Sequence, residues 1–518
     1  MHKSACPHLI AAYMASTFAV SRNHLIFGVC LPFAVLLGYL LADIADPISK
    51  AVVLVAITGL SFPLFMRWYH PMLILTWNIG ATLTFLPGGA TAWTLFACLG
   101  LFFAVLNRSI NSEMRFAYVP YLTWPIVAFA VVIVGTAMLT GGISLHIFGG
   151  TSGGGRNYVF LLAAIVGFFA LSSQHISKKY AQWLVAIYFL SALADMFAKL
   201  LMKYGIGTGL LARFFPLPDT AGSEFFSTQS DAFGETRQGE MMLASFGIFC
   251  WLLARYGVSG ILDFLKPWRF VVFVSAIALG FFGGFRSHLI LVVMTFGLMF
   301  FIQGLWKTRA MAVLVFVTLL TAGLIVTFSD RMPLTVQRTL SFLPIKIDPM
   351  IKVQAESSSQ WRLDVWKVVI HEVPTYLLVG KGYNMSATDI YMANMNIAQF
   401  GLGASTDIAA ETGNYHNGPL SLIIPFGIWG LAAFMWIVAA GILYLYRTHR
   451  DCPAELKNIN ALLFAVFVAR ALFFFGIFGA IAFELYFFMG ILGLSVALNV
   501  AKKPMPAPAP EGSLAYQI

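Results

Sequence analysis

Four residues carry the chemistry this sequence offers: Arg237, Arg286, Arg362 and His416. Arg286 stands between two apolar runs, in Gly283-Gly284-Phe285-Arg286-Ser287-His288. A guanidinium at such depth is costly and usually faces a cavity, and the two glycines let another group approach closely. The plainer reading is an arginine that ends a helix and snorkels to the surface. Arg237, in Gly234-Glu235-Thr236-Arg237-Gln238-Gly239, sits at the entry of another apolar run, either as part of a site or paired with Glu235 or Glu240. Arg362 is four residues before Trp366, so the two share a helix face. That pattern also fits an amphipathic helix lying on a membrane, with Trp361 and Trp366 at headgroup level. His416 leads Asn417, Gly418 and Pro419 into a further apolar run. Asn417 caps a helix well and Pro419 suits its first turn. An imidazole there titrates near neutral pH and is able to act as a general base.

The chemistry these residues share is anion recognition. Arginines make planar, bidentate contacts to phosphate oxygens and do not lose their charge. A diphosphate would need two or three of them, and as a leaving group it would be stabilised by them. No cluster of Asp, Glu and His has metal-ligand spacing, and no Asp-x-Asp occurs, so neither a metal nor another cofactor is expected. The five cysteines, Cys6, Cys30, Cys98, Cys250 and Cys452, lie too far apart in sequence for a metal motif. The glycine-rich run 149–155 lacks the strand and the Lys-Ser/Thr of a phosphate-binding loop. Arg470 and Glu484, inside two late apolar runs, read as a structural ion pair.

The elements that position these residues are membrane spans. The chain is 59% hydrophobic and only 10% charged, with a mean hydropathy of +0.82, far from the roughly 25% charge of a soluble domain. This is an all-α polytopic membrane protein, with about 14 stretches long enough to cross a bilayer. They lie near 24–42, 48–66, 71–87, 91–107, 119–140, 157–172, 180–201, 239–255, 269–285, 288–305, 310–328, 417–446, 459–476 and 479–500. The apolar patch 9–20 reads as an interfacial segment. The expected organisation is a transmembrane bundle over 1–328, a long, partly helical extramembrane loop over 329–416, C-terminal transmembrane helices over 417–502 and a proline-rich disordered tail over 503–518. The net charge of +10 is explained by Lys and Arg in short cytoplasmic loops, which puts both termini inside. The loop 201–238, the break around Arg286 and the long loop then share the outer side. No nucleic-acid motif is present.

At this point the sequence resembles the O-antigen ligase and polysaccharide polymerase superfamily. The resemblance rests on Gln360-Trp361-Arg362 with Trp366, then Pro374, Gly380-Lys381-Gly382, His416-Asn417, and Gly427 and Gly430, in that order. It covers roughly Arg237 to Gly430; Phe285 departs from the Ser common in the family, and about 14 spans exceed the number common among its ligases. The resemblance implies a bacterial inner-membrane glycosyltransferase. Such an enzyme takes a glycan from undecaprenyl diphosphate on the periplasmic side and passes it to an acceptor hydroxyl, with inversion and without metal. The acceptor would be lipid A-core or another lipid-linked repeat, in the synthesis of lipopolysaccharide or another surface polysaccharide. Arg237, Arg286 and Arg362 would grip the diphosphate, and His416 would activate the acceptor. Two other classes compete. A flippase of the same lipid-linked sugar would show internal pseudo-symmetry and charged or broken helices near the bilayer midplane; neither is read here, and the polar residues collect at the outer boundary. A non-catalytic assembly subunit would use the arginines on anionic headgroups.

Overall fold

The computed structural model describes Gly38 and residues 47–84, 90–111, 116–141, 154–216, 238–263, 265–383, 413 and 415–500. The chain divides into two units, Met1–Trp68 and Tyr69–Ile518. Of the first, the described part is essentially the beginning of helix α1 (Pro47–Thr76). The expected span 24–42, the patch 9–20 and the tail 503–518 lie outside the described residues.

The architecture is helical. The sheet among the described residues is one hairpin, β1 (Thr82–Leu83) with β2 (Ala90–Thr91), which pairs Thr82 with Thr91 and Leu83 with Ala90. That hairpin corrects an expectation. Instead of spans at 48–66 and 71–87, α1 runs unbroken past Arg67 and His70 and stops at Thr76. His70 does not break the helix because its side chain is buried and its Nε2 donates to the Leu171 carbonyl at 2.7 Å. After Thr76 the chain turns through Asn78, whose Nδ2 donates to the Tyr188 carbonyl at 2.7 Å.

Most of the remaining helices of the bundle follow the hydrophobic runs. They are α2 (Ala92–Ile110), α3 (Pro120–Thr140), α4 (Gly154–Ser172), α5 (Lys178–Leu190), α6 (Leu193–Lys203) and the short α7 (Thr208–Leu211). Then come α8 (Gly239–Ile261), α9 (Pro267–Phe281), α10 (Arg286–Ile302) and α11 (Arg309–Phe328). Among the described residues, eight helices are long and apolar enough to cross a membrane, and α5 with α6 forms a ninth candidate bent by 45°. The shorter α9 and α10 are also apolar. The bend in α5–α6 is a second correction. The run 180–201 is not one straight span, and it carries Asp195 and Lys199 inside the bundle.

With lipid outside and apolar side chains inside, helices associate through close packing, which small residues permit. The last helices are α15 (Gly418–Asp451), α16 (Lys457–Gly476) and α17 (Ile481–Asn499), of which α16 and α17 are the best-buried spans among the described residues. Gly490 lies against Trp77 and Tyr188, and Gly493 against Leu171, which brings α17 onto α4. Phe434, Phe474 and Phe488 lock α15, α16 and α17, with Phe434 5.0 Å from Phe474 and 5.4 Å from Phe488.

The long polar interval is partly helical, with α12 (Leu334–Thr339), α13 (Pro349–Ile370) and α14 (Val373–Tyr376). Residues 384–412 and 414 lie outside the described set. The glycine turn that follows α14 has a structural purpose. α15 breaks at Gly427, whose φ is 64°, just after Pro425. Into that break the loop backbone docks: Lys381 N donates to Ile424 O (2.8 Å), Gly382 N to Pro425 O (3.0 Å), and Ile428 N to Leu377 O (2.7 Å). Proline and a left-handed glycine free these groups, and a backbone group within a membrane bundle must find a partner. A Cβ at Gly380 would overlap the Pro425 backbone, so the loop approaches this closely only as glycine.

Candidate functional site

Helix α13 is the scaffold of the site. Its start is capped by Asp348, whose Oδ1 accepts from Met350 N at 2.8 Å, while Gln337 Oε1 accepts from Asp348 N at 2.8 Å. Arg338 of α12 is buried and its Nη1 donates to Gln354 Oε1 at 3.4 Å; burial pulls its pKa down from the usual arginine range. Thr339 Oγ1 donates to the Phe281 carbonyl at the end of α9, at 3.1 Å. At the far end, Trp366 Nε1 donates to the Tyr415 carbonyl at 2.8 Å. There Val365, Val369, Tyr415, Leu420 and Ile424 form a small apolar core. So α13 is tied to the α9–α10 break at one end and to the start of α15 at the other.

The break itself is tight. Gly283 O accepts from Gln238 N at 3.3 Å, and a Cβ at Gly283 would crowd Gln238 O and Met242. Gly284 takes φ 73°, and α10 then begins at Arg286. Arg286 Nη2 donates to the Ala355 carbonyl (3.1 Å) and to Ser359 Oγ (3.4 Å). Arg362 lies one turn further along α13, its guanidinium 5.6 Å from the Phe478 ring. The His416 ring meets the same Phe478 ring, 4.9 Å between centroids, and meets Trp361 edge-on at 5.2 Å.

The structure therefore brings Arg362 and His416 together through Phe478, and docks Arg286 of α10 against α13 at Ala355 and Ser359, about one turn before Arg362. Arg237 lies outside the described residues, although the next residue, Gln238, is bonded to the Arg286 break. The capping role read for Asn417 is present, since its Oδ1 accepts from Leu420 N at 3.0 Å. His416 just before it has φ 51°, the only non-glycine in the left-handed region among the described residues. Such a conformation is uncommon and is held here by two aromatic rings. Burial raises the Tyr383 and Tyr415 hydroxyls well above the usual phenol range. Asp364, on the exposed face of α13, is held below the usual carboxyl range by its hydrogen bond from Lys367 at 3.1 Å.

Two features were not foreseen. Beside Arg286 a cleft of about 520 Å³ opens along the first half of α13, with Ser341, Lys352, Glu356, Ser359 and Gln360 in its wall. Sequence periodicity puts 352, 356 and 360 on one stripe but does not say that Arg286 meets it. Deeper in the bundle, Lys199 bridges Asp195 (3.2 Å) and Glu240 (3.3 Å). Two charges four residues apart inside an apolar run were the signal for it. The expected Arg470–Glu484 pair forms at 3.0 Å, with Arg470 stacked 3.5 Å over Phe487.

Residues 270–435 match a protein-family model described as O-antigen ligase. The match runs from α9 into α15 and takes in Arg286, Arg362 and His416. No curated protein matches the chain.

Proposed function

We propose, from the premise that this chain belongs to the O-antigen ligase family through residues 270–435, that it is a periplasm-facing glycosyltransferase of the bacterial inner membrane. Its donor is a glycan on undecaprenyl diphosphate, and its acceptor is a hydroxyl of lipid A-core or of another lipid-linked repeat. Both termini are cytoplasmic and the long loop is periplasmic. In the step itself, neutral His416 takes the proton of the acceptor hydroxyl as its oxygen bonds to the anomeric carbon. The bond from that carbon to the diphosphate oxygen breaks on the opposite face, which inverts the centre. The diphosphate leaves with the electron pair. Arg286, Arg362 and Arg237 stabilise its charge, and no metal is required. A fixed guanidinium aimed at a developing negative charge is a large catalytic term.

The observation that carries this reading is His416, strained and clamped between Trp361 and Phe478, with Arg362 on the same Phe478 ring. Strain of this kind persists only where the surroundings impose it and clusters at functional sites. A second reading, a flippase of the same lipid-linked glycan, draws support from the bent α5–α6 pair with its Asp195–Lys199–Glu240 charges.

Purified protein in nanodiscs, given undecaprenyl-diphosphate-linked glycan with and without lipid A-core and with EDTA present, separates these. Product on lipid A-core identifies a ligase, and longer lipid-linked chains identify a polymerase. His416→Ala is expected to lower turnover about 10²–10⁴-fold, the usual worth of general-base catalysis. Unchanged turnover in that variant removes His416 from the chemistry. Donor crossing the bilayer without any transfer by folded wild type supports the flippase instead.

A further inference from the structure

The cleft beside Arg286 extends along α13 beyond the residues assigned to the proton and leaving-group chemistry. We propose that it is a carbohydrate subsite that holds the donor's glycan beyond the reacting sugar, an inference that rests on the transfer reading above. Its volume of about 520 Å³ falls in the range of small-ligand sites.

The wall has the chemistry that recognises sugars. Glu356 and Gln360 lie one helical turn apart on α13, with the Ser341 and Ser359 hydroxyls beside them and Leu363 at the end. A carboxylate accepts from sugar hydroxyls, an amide both donates and accepts, and an apolar side chain packs against the C–H face of a ring. Gln360 Nε2 donates to Asp364 Oδ1 at 3.0 Å, which orients the amide in advance. Position completes the argument. Arg286 is itself part of the wall and touches Ser359. A sugar joined to a phosphate gripped by Arg286 must therefore lie within one glycosyl unit of this stripe. The reacting sugar occupies the side of α13 toward Arg362 and His416, and the following sugars run back along Gln360 and Glu356 toward Lys352.

Two ligands test this, undecaprenyl diphosphate without sugar and the complete glycan-bearing donor, with binding to each measured in nanodiscs. Glu356 and Gln360 are exposed, so a Glu356→Ala/Gln360→Ala double variant is expected to melt as wild type does. It should lose about ten-fold in affinity for the glycan-bearing donor, the worth of one or two hydrogen bonds, and keep wild-type affinity for undecaprenyl diphosphate. Arg286→Ala should weaken both ligands. A double variant that binds both ligands as wild type does, or that loses both equally, overturns the subsite and leaves the transfer reading standing. Wild type that binds neither ligand overturns the transfer reading, and the subsite with it.

Discussion

Two helix breaks in this protein use the same device for different ends. Between α9 and α10, and again within α15, a glycine at positive φ interrupts the helical path (Gly284 at 73°, Gly427 at 64°). At the first, the turn largely satisfies itself, with Gly283 N donating to Gly280 O and Gly284 N to Phe281 O. What it delivers is a side chain, the Arg286 guanidinium, at the edge of a polar cleft. At the second, Pro425 and Gly427 expose backbone groups that the loop around Gly380 fills. What it delivers is a joint that fastens the long loop to the bundle. The comparison teaches that a glycine-marked break does not announce its purpose. The partner it meets decides whether the break presents chemistry or holds structure.

Substitutions separate the two. The largest effect is expected for Arg286→Ala, a fall of about 10²–10³-fold in turnover, as for loss of one preorganised charge-stabilising donor. Melting temperature should hardly move, since its hydrogen bonds to Ala355 and Ser359 are partly solvated and each is worth about 1 kcal/mol. A variant that loses stability and activity in parallel would make the first break structural and erase the contrast. Next comes Gly380→Ala, whose Cβ overlaps the Pro425 backbone. A cost of about 1–3 kcal/mol is expected, as for other overpacked sites, read as earlier thermal unfolding in detergent. Wild-type melting of that variant would mean that the loop is not clamped at α15. The smallest is Gly284→Ala, which must bear a left-handed φ at a cost of about 1 kcal/mol, with Arg286 still in place and turnover largely kept. Loss of turnover there without loss of stability would show that the break's flexibility, not only its arginine, serves the reaction.

Much of the frame was legible beforehand. The helices α2, α3, α4, α8, α11, α15, α16 and α17 begin within a few residues of the hydrophobic runs, and all but α8 and α15, which run on to Ile261 and Asp451, end there too, because the bilayer demands about 20 apolar residues in a self-satisfied helix. The cap at Asn417 and the pair Arg470–Glu484 were legible for a similar reason, since each is a strong local rule with one partner type. Where two physical outcomes suit the same pattern, reading the sequence failed. The run 71–87 is as apolar as a span, yet the chain turns at Asn78 and forms a hairpin. The run 180–201 is as long as a span, yet it bends, burying Asp195 and half-burying its partner Lys199.

What the sequence determined by itself was the membrane-helical class, most helix boundaries and the identity of the four candidate residues, because hydropathy, helix capping and the rarity of buried arginine are local properties. What only the tertiary structure decided was company. Phe478, between α16 and α17, is some 60 residues from His416, and it is the ring that His416 and Arg362 share. Ala355 and Ser359 are remote in sequence from the Arg286 they receive. Contacts of that kind arise from how helices cross and where a loop docks. They depend on side chains distant in the chain, which no local pattern encodes.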